Sequence, residues 1–158
     1  MKFNQQITRI ILVLIAAFAL SACSTAKKSG STSGDVYTGK DTVKYLASGV
    51  ADRVFFATNR SNLTTAARDT LRKQATYLRK NKNLKVVIEG HADERGTREY
   101  NLALGEKRAN AAKDYLMTYG ISGKRISVIS YGKEKPVNSA SSRLAWSQNR
   151  RSVTVKVK

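Results

Sequence analysis

The sequence contains few of the residues on which disulfide bonds, metal sites and much catalysis depend. Its 158 residues include one cysteine and one histidine. A single cysteine excludes a disulfide within the chain, and the pair cannot supply the usual ligand set of a structural zinc site. Acidic residues are also scarce, because 11 Asp and Glu stand against 29 Lys and Arg, for a formal net charge of +18 at pH 7. Such an excess favours an anionic partner or surface without saying which one.

No apolar run in the chain is long enough to span a bilayer comfortably. The longest unbroken one, residues 10–20 (IILVLIAAFAL), has 11 residues and follows two basic residues. This pattern is typical of an export signal that is removed. The run leads into LSAC at residues 20–23, which resembles the lipobox of bacterial lipoproteins, where the cysteine is diacylated and becomes the new N-terminus. We therefore predict a signal peptide at residues 1–22, whose removal leaves a net charge of 18 − 2 = +16.

The segment after the signal has the composition of a linker. Residues 24–40 (STAKKSGSTSGDVYTGK) are rich in Ser, Thr, Gly and Lys and have no apolar periodicity. A segment of this length forms a coil with a root-mean-square span of about 20 to 25 Å. We predict that residues 23–43 form a flexible tether lipidated at Cys23, and that one globular domain occupies residues 44–158. The serine that follows the cysteine is compatible with sorting to the outer membrane, by the rule familiar from enteric bacteria.

Downstream of the tether, apolar spacing predicts an alternation of strands and helices. One helix begins at Thr64 or Thr65 and ends within residues 81–83, and a second covers residues 99–119 and is stopped by Gly120. Four stretches have the apolar runs or the alternation typical of strands: residues 53–56, 84–90, 125–131 and 153–158. The predicted order is β-α-β-α-β-β, with a loop and a short helix between the last two strands.

This order of elements predicts an α/β domain. Helices that alternate with strands pack on the sheet through right-handed crossovers. In the second helix, an apolar stripe rich in small residues would allow close packing on the sheet: Leu102, Gly105, Ala109, Ala112 and Leu116. We predict a two-layer sandwich in which a mixed four-stranded sheet carries two long helices on one face.

Residues 89–101 (EGHADERGTREYN) bring the chain's histidine together with acidic residues and arginines. A metal site here would be almost entirely carboxylate, and no nucleophile-elbow sequence accompanies a serine or threonine nucleophile. Asp93 and Glu94 are sequence neighbours, so they are poorly placed to flank a scissile bond as glycosidase carboxylates do. For His91 we predict a structural role, in which the ring is hydrogen-bonded to the turn after its strand. We predict no catalytic residue, no metal and no cofactor.

The same stretch is suited to bind a charged ligand. Asn101 and Arg108 are seven positions apart on the second helix and therefore share one face, and Asp93 lies in the loop before that helix. A carboxylate and a guanidinium with an amide between them suit a zwitterion, because Asp93 can accept from an ammonium while Arg108 donates to a carboxylate. Spacing alone leaves open a second interpretation, an internal Asp93–Arg108 ion pair that ties the loop to the helix.

Three stretches resemble a known family: residues 89–116, 129–136 (ISYGKEKP) and 148–151 (QNRR). They resemble the peptidoglycan-associated lipoproteins, Pal, of the OmpA-like C-terminal domain family, and the match covers residues 53–157. The resemblance implies non-covalent binding of peptidoglycan through the diaminopimelate of the stem peptide, whose side chain ends in an ammonium and a carboxylate. It implies a binding role for six residues: Asp93, Arg108, Asn101, Asn59, Arg150 and Arg151. For the last two, a structural role beside the pocket and direct contact are both open.

The resemblance also implies a protein partner and reveals departures from the family pattern. Pal proteins bind the periplasmic β-propeller protein of the Tol system in competition with peptidoglycan, and they help draw the outer membrane inward during division. Many relatives have acidic residues in two loops where this chain has other residues: Ala57, Asn59, Asn62, Ser142 and Arg143. These departures leave the predicted clamp in place and concern the rim of the pocket and the contacts with partners.

Two other functional classes fit the sequence less well. A nucleic-acid-binding protein would suit the positive charge, but its basic residues should cluster beside stacking aromatics, whereas the 29 here are scattered. Export to the periplasm also removes the usual nucleic-acid target. A periplasmic hydrolase would need a second acid or a nucleophile that converges on His91, and the sequence does not offer one.

The lipobox interpretation predicts the behaviour of Cys23→Ser. Without the thiol no acyl chain can be attached, and each buried methylene contributes about 0.8 kcal/mol to membrane binding. We expect the variant to be recovered as a soluble periplasmic protein on cell fractionation, whereas the parent chain partitions with outer membranes. Ser24→Ala is the matched control and should stay with the membrane. A membrane-bound Cys23→Ser protein would contradict lipidation at this residue.

Overall fold

A computed structural model describes residues 35–157 of the chain. The predicted signal peptide, Cys23 and the first part of the predicted tether lie outside the described residues. Within residues 35–157, no helix combines the length and the apolarity that a membrane span requires. The elements are, in chain order, β1 (Tyr45–Ala47), β2 (Val50–Ala51), β3 (Arg53–Phe55), α1 (Thr65–Lys80), β4 (Val86–His91), α2 (Arg98–Thr118), a 3-10 turn (Gly123–Arg125), β5 (Ile126–Gly132), α3 (Arg143–Asn149) and β6 (Arg151–Lys156).

Four strands form one mixed sheet in the order β3-β6-β4-β5. β6 is antiparallel to both of its neighbours, whereas β4 and β5 are parallel, as strands joined by a helix usually are. β1 and β2 pair separately in a short antiparallel hairpin, which the apolar pattern did not predict. The predicted α/β fold with a mixed four-stranded sheet is confirmed, and α3 is the short helix expected before the last strand.

The core lies between the two long helices and one face of the sheet. The apolar stripe of α1 is buried from Ala67 to Leu78, and it packs in one cluster with Val54 of β3 and Ile88 of β4. α1 begins where the sequence predicts, because the hydroxyl of Thr64 accepts a hydrogen bond of 3.2 Å from the backbone N–H of Ala67. Burial of this stripe fixes α1 against the sheet, and the buried Gln74 adds hydrogen bonds to Ala51 and Thr154.

α2 buries a stripe that is only partly the predicted one. The small residues of the stripe are buried, but Leu102 is 44% exposed. Two polar residues, Asn101 and Arg108, are buried in addition. The reason lies in what α2 covers: its C-terminal half packs on the apolar core, whereas its first half meets the loops that follow β3 and β4. The buried polar side chains there donate to backbone carbonyl groups.

β4 and α2 approach each other closely at two glycines. A Cβ atom on Gly90 would lie 1.8 Å from the carbonyl oxygen of Gly105, and a Cβ atom on Gly105 would lie 2.3 Å from Oγ of Ser130. The Ser130 hydroxyl also donates to the carbonyl oxygen of Leu102 over 2.6 Å. These contacts bring the first half of α2 against the end of β4, beside the loop that contains Asp93.

Part of the predicted tether packs against the domain. The rings of Tyr37 and Phe55 meet edge to face with their centroids 4.8 Å apart, and Asp35 forms an ion pair with Arg150. Residues before the predicted boundary at residue 44 therefore contact the domain within the described part of the chain. A buried aromatic ring and the polar contacts of Asp35 and Asp41 hold a segment whose polar composition and lack of periodicity resemble those of a linker.

His91 is buried at the end of β4, with 2% of its surface exposed. Neither ring nitrogen has a hydrogen-bond partner within the described residues, so the predicted bond from the ring to the following turn was wrong. The ring lies beside Tyr131, with the centroids 5.5 Å apart, and Nε2 is 3.5 Å from Oε2 of Glu89. Burial, followed by the charges of Arg151 and other cations, lowers the pKa of His91 to about 3. A neutral, packed histidine fits the structural role that was predicted.

The close approach of α2 to β4 predicts the effect of Gly90→Ala. The added methyl group would meet a backbone oxygen that cannot rotate away, so β4 and α2 must move apart. We expect the free energy of unfolding, measured by urea denaturation, to fall by about 1 to 3 kcal/mol. Glu106→Ala, at an exposed position of the same helix, is the control and should change it by less than about 0.5 kcal/mol. Equal stability of Gly90→Ala and the parent chain would contradict the close contact.

The low pKa of His91 predicts how stability depends on pH. Between about pH 6.5 and pH 3 the unfolded chain binds a proton at this residue that the folded protein does not bind. The free energy of unfolding should therefore decrease as the pH falls, by up to about 1.4 kcal/mol per pH unit.

Replacement of the histidine isolates this contribution. His91→Phe keeps a ring beside Tyr131, and urea denaturation from pH 7 to pH 5 should give a much flatter dependence than in the parent chain. Carboxylates titrate mainly below this range, so they contribute little to the difference. An unchanged slope in His91→Phe would contradict a neutral buried histidine.

Candidate functional site

Asp93 lies in the loop between β4 and α2 and is 7% exposed. Its carboxylate accepts from Nε and Nη2 of Arg95 over 3.0 and 2.7 Å, and from Nη1 of Arg150 over 3.3 Å. Burial raises the pKa of Asp93, but the hydrogen bonds and charge of Arg95, with a hydrogen bond from Arg150, outweigh burial and hold the pKa below its ordinary value. Asp93 is therefore an ionised, largely buried acceptor in contact with two cations.

Arg108 is fully buried and donates to three backbone carbonyl groups. Nε donates to the oxygen of Arg60 over 2.9 Å, Nη1 to that of His91 over 2.8 Å and Nη2 to that of Ala57 over 3.1 Å. Burial, followed by the charge of Arg150, lowers the pKa of Arg108 to about 10, so the guanidinium stays charged at neutral pH. It joins the loop after β3 to the end of β4, and one N–H on each terminal nitrogen is left for a further acceptor.

The structure brings Asp93 and Arg108 to the same end of the sheet but does not pair them. Within residues 35–157 no ion pair joins the two side chains, so the internal Asp93–Arg108 pair that spacing left open is not formed. The partners of Asp93 are Arg95 and Arg150 instead. The reason is geometric: Arg108 lies on the third turn of α2 beneath the loops and reaches carbonyl groups, while Arg95 and Arg150 flank the carboxylate.

Two asparagines among the predicted binding residues contribute to the loops around Asp93. Asn101 is buried, and its Nδ2 donates to the carbonyl oxygen of Arg95 over 2.8 Å, which closes the loop onto α2. Asn59 is exposed in the loop after β3, where its φ of 53° is a left-handed conformation that asparagine tolerates. Asn101 therefore shapes the site from within, whereas Asn59 lies at its solvent side.

Arg150 and Arg151 are adjacent in sequence, but their side chains contact different groups. Arg150 is buried; its Nε donates to the carbonyl oxygen of Phe56 over 3.0 Å, and its terminal nitrogens reach Asp93 and Asp35. Arg151 donates to backbone oxygens of Asn149 and Lys135 instead. Burial, followed by the charge of Arg53, lowers the pKa of Arg151 to about 10. Arg151 thus belongs to the surroundings of His91, and the structure does not bring it together with Asp93.

Three residues of the site were not predicted from the sequence: Asp35, Arg95 and Trp146. The guanidinium of Arg95 lies over the indole ring of Trp146, 4.3 Å from its centroid, and the indole N–H donates to Glu94 over 2.8 Å. A cavity of about 560 Å³ is lined by Arg95, Trp146, Arg150 and the segment 35–39. The sequence did offer a signal for two of these residues: Arg95 lies two positions after Asp93, and Trp146 is the chain's single tryptophan.

The structure shows where the residues that depart from the family pattern lie. Ala57 supplies a carbonyl oxygen to Arg108, and Ser142 caps α3 by accepting from the N–H of Ala145 over 3.1 Å. Arg143 lines the cavity, and Asn62 is exposed. Within residues 35–157, no group of three or more His, Cys, Asp or Glu side chains is arranged to hold a metal ion.

Comparison with known proteins gives consistent matches over the domain. The model of the OmpA family matches residues 55–150. The peptidoglycan-associated lipoprotein of Rhizobium meliloti (strain 1021) is 43% identical over 151 residues, which cover 92% of this chain and 86% of the relative. The protein of the same name from Brucella abortus biovar 1 is 41% identical over 162 residues, which cover 98% of this chain and 96% of the relative.

Solved structures have the same fold. The crystal structure of the peptidoglycan-associated lipoprotein from Burkholderia pseudomallei matches with a TM-score of 0.66 and 37% identity, over 67% of this chain and 90% of that one. The C-terminal domain of Helicobacter pylori MotB matches with a TM-score of 0.63 at 19% identity, over 68% and 84% of the two chains, and supports the fold alone. The resemblance of residues 53–157 is thereby confirmed: the chain belongs to the peptidoglycan-associated lipoproteins of the OmpA family.

Proposed function

We propose that this chain is an outer-membrane lipoprotein that binds peptidoglycan non-covalently, through the diaminopimelate of the stem peptide. The observation that carries the proposal is the buried, ionised carboxylate of Asp93 at the end of β4, among three guanidinium groups. The names of relatives at 41 to 43% identity support the same ligand class. A site with one buried anion and several fixed cations suits a ligand that carries both charges.

The contacts of Asp93 suggest how the ligand ammonium enters. Arg150 is buried and held by the Phe56 carbonyl group, but the Arg95 side chain is 42% exposed and can swing into solvent. A ligand ammonium would replace Arg95 on the carboxylate, so that one cation is exchanged for another and Asp93 never stays unpaired. The carboxylate of the same ligand side chain would then bind the neighbouring guanidinium groups, through the planar geometry that arginine offers.

We propose binding rather than catalysis at this site. His91 is the chain's only histidine, and with 2% exposure and a pKa of about 3 it is a poor general base for a substrate in the cavity. Glu94 is engaged by the indole N–H of Trp146, next to Asp93 rather than across a cleft from it. The groups at the site therefore suit holding a peptide rather than cutting it.

The anchor and the domain together would tether the outer membrane to the cell wall. Acyl chains on Cys23 would hold the N-terminus in the membrane, while the domain binds the peptidoglycan beneath it. The family resemblance further supports a place in the Tol-Pal system, in which the periplasmic β-propeller protein competes for the domain during outer-membrane constriction. The positive charge suits an acidic partner surface, although it does not identify one.

The proposed ligand contact predicts the effect of Asp93→Asn. The change removes the negative charge with little change of shape, and a charge-assisted hydrogen bond contributes about 1.5 to 3 kcal/mol. We expect binding to purified sacculi, measured by co-sedimentation, to weaken by about 10- to 100-fold. Free diaminopimelate should displace the parent chain, whereas Nα-acetyl-lysine amide, which keeps the side-chain ammonium but has no carboxylate, should not.

The control is Asp114→Asn, which removes a charge at an exposed position near the end of α2. It should bind sacculi like the parent chain, and both variants should give the circular dichroism spectrum of the folded protein. Binding should also survive nuclease treatment and leave the muropeptides uncut. If folded Asp93→Asn sediments with sacculi as well as the parent chain does, Asp93 is not the ammonium-binding residue.

A further inference from the structure

We propose that Arg150 and the backbone N–H of Thr58 form a carboxylate-binding position, and that Asp35 of the chain's own tether fills this position in competition with the ligand. The inference rests on the proposed function of the same site. It adds a specific place for the ligand carboxylate and an intramolecular competitor for that place. The contacts of Asp35, the rigidity of its partners and its location in the chain each support it.

The carboxylate of Asp35 is bound at both of its oxygens. Nη2 of Arg150 is 2.8 Å from Oδ1, and the N–H of Thr58 donates to Oδ2 over 2.6 Å. Nη2 of Arg150 also donates to the backbone carbonyl oxygen of Asp35. Burial raises the pKa of Asp35, but the hydrogen bonds from Thr58 and the charge of Arg150 outweigh it and lower the pKa. The residue is therefore an ionised carboxylate held by one guanidinium and one amide.

The two donors are fixed by the domain and do not depend on Asp35. Arg150 has 2% of its side chain exposed and is held by the Phe56 carbonyl group and by Asp93. Thr58 follows Ala57, whose carbonyl group accepts from the buried Arg108. The receptor thus keeps its geometry when its occupant leaves. Asp35, by contrast, has 46% of its side chain exposed and belongs to a segment at the edge of the domain.

One guanidinium joins this position to Asp93. Nη1 of Arg150 points to Asp93, and Nη2 points to Asp35. A ligand whose ammonium binds Asp93 would therefore bring a carboxylate on the same side chain to the place that Asp35 occupies. The segment 35–39 also lines the cavity that Arg95 and Trp146 border, so its departure would widen the entrance. Ligand and tether cannot both fill this position.

The competition also couples binding to the reach of the tether. Asp35 is twelve residues from the predicted lipidation site at Cys23 (35 − 23 = 12), which limits the site to about 40 Å from the anchor while Asp35 is bound. Release of residues 35–43 adds nine residues and up to about 30 Å of reach. A carboxylate attached to the same chain competes at a high effective concentration, so it reduces the apparent affinity for the ligand.

The test compares Asp35→Asn with the parent chain, both as mature lipidated protein in detergent. The amide keeps the size of the side chain and removes the charge that Arg150 binds. We expect Asp35→Asn to bind purified sacculi about 3- to 10-fold more tightly, and to bind free diaminopimelate more tightly by a similar factor, because both ligands fill the position that Asp35 leaves. Asp114→Asn removes the same charge at an exposed position near the end of α2 and should leave both values unchanged, which separates competition at the site from a change in net charge.

Each outcome has a definite meaning. Tighter binding by Asp35→Asn alone supports the competition, whereas equal or weaker binding overturns it, since weaker binding would make Asp35 part of the receptor. An equal gain in Asp114→Asn also overturns it, because net charge would then explain the effect. Failure of the proposed function looks different: the parent chain would not bind sacculi, or Asp93→Asn would bind them equally well, whatever the behaviour of Asp35→Asn.

Discussion

The site depends on the buried guanidinium of Arg108 and its three bonds to backbone carbonyl groups. A buried charge of this kind is tolerated only when most of its donors are satisfied, and here three acceptors come from the loop after β3 and from the end of β4. The same bonds that stabilise the charge therefore fix the two loops relative to each other. Thr58 and Asp93, which lie in those loops, acquire their positions from this constraint. Arg108, which the motif marks as a ligand contact, therefore also has a structural role in holding the two loops together.

Arg150 extends this arrangement to the surface. It is held by the Phe56 carbonyl group and connects two carboxylates, that of Asp93 in the domain and that of Asp35 in the segment before it. Acidic residues are scarce in this chain, with 11 against 29 basic ones, so two of them at one guanidinium are a notable concentration. Their presence balances a site that would otherwise carry several unneutralised cations. The more exposed members of these pairs, Arg95 and Asp35, lie on the solvent side.

The two-glycine contact between β4 and α2 explains why this cluster exists at the end of the sheet. Without side chains at Gly90 and Gly105, the helix lies close enough for Arg108, one turn further along, to reach the carbonyl group of His91. His91 itself is packed against Tyr131 and stays neutral, which keeps a further positive charge away from that region. Apolar packing, close backbone approach and charge placement are thus linked at one strand end.

The sequence by itself determined the fold and the chemistry available at the site. Periodicity located the strands and the long helices, since burial of one face requires it, and the motif marked Asp93 and Arg108. Only the tertiary structure decided the pairing: Asp93 binds Arg95 and Arg150, because among many basic residues the partner is the one that folding brings within reach. It also separated Arg150 from Arg151, because successive residues entering a strand face opposite sides of the sheet. The tertiary structure also decided how residues 35–43 pack, since contacts between a polar segment and an arginine distant in sequence leave no local pattern in the chain.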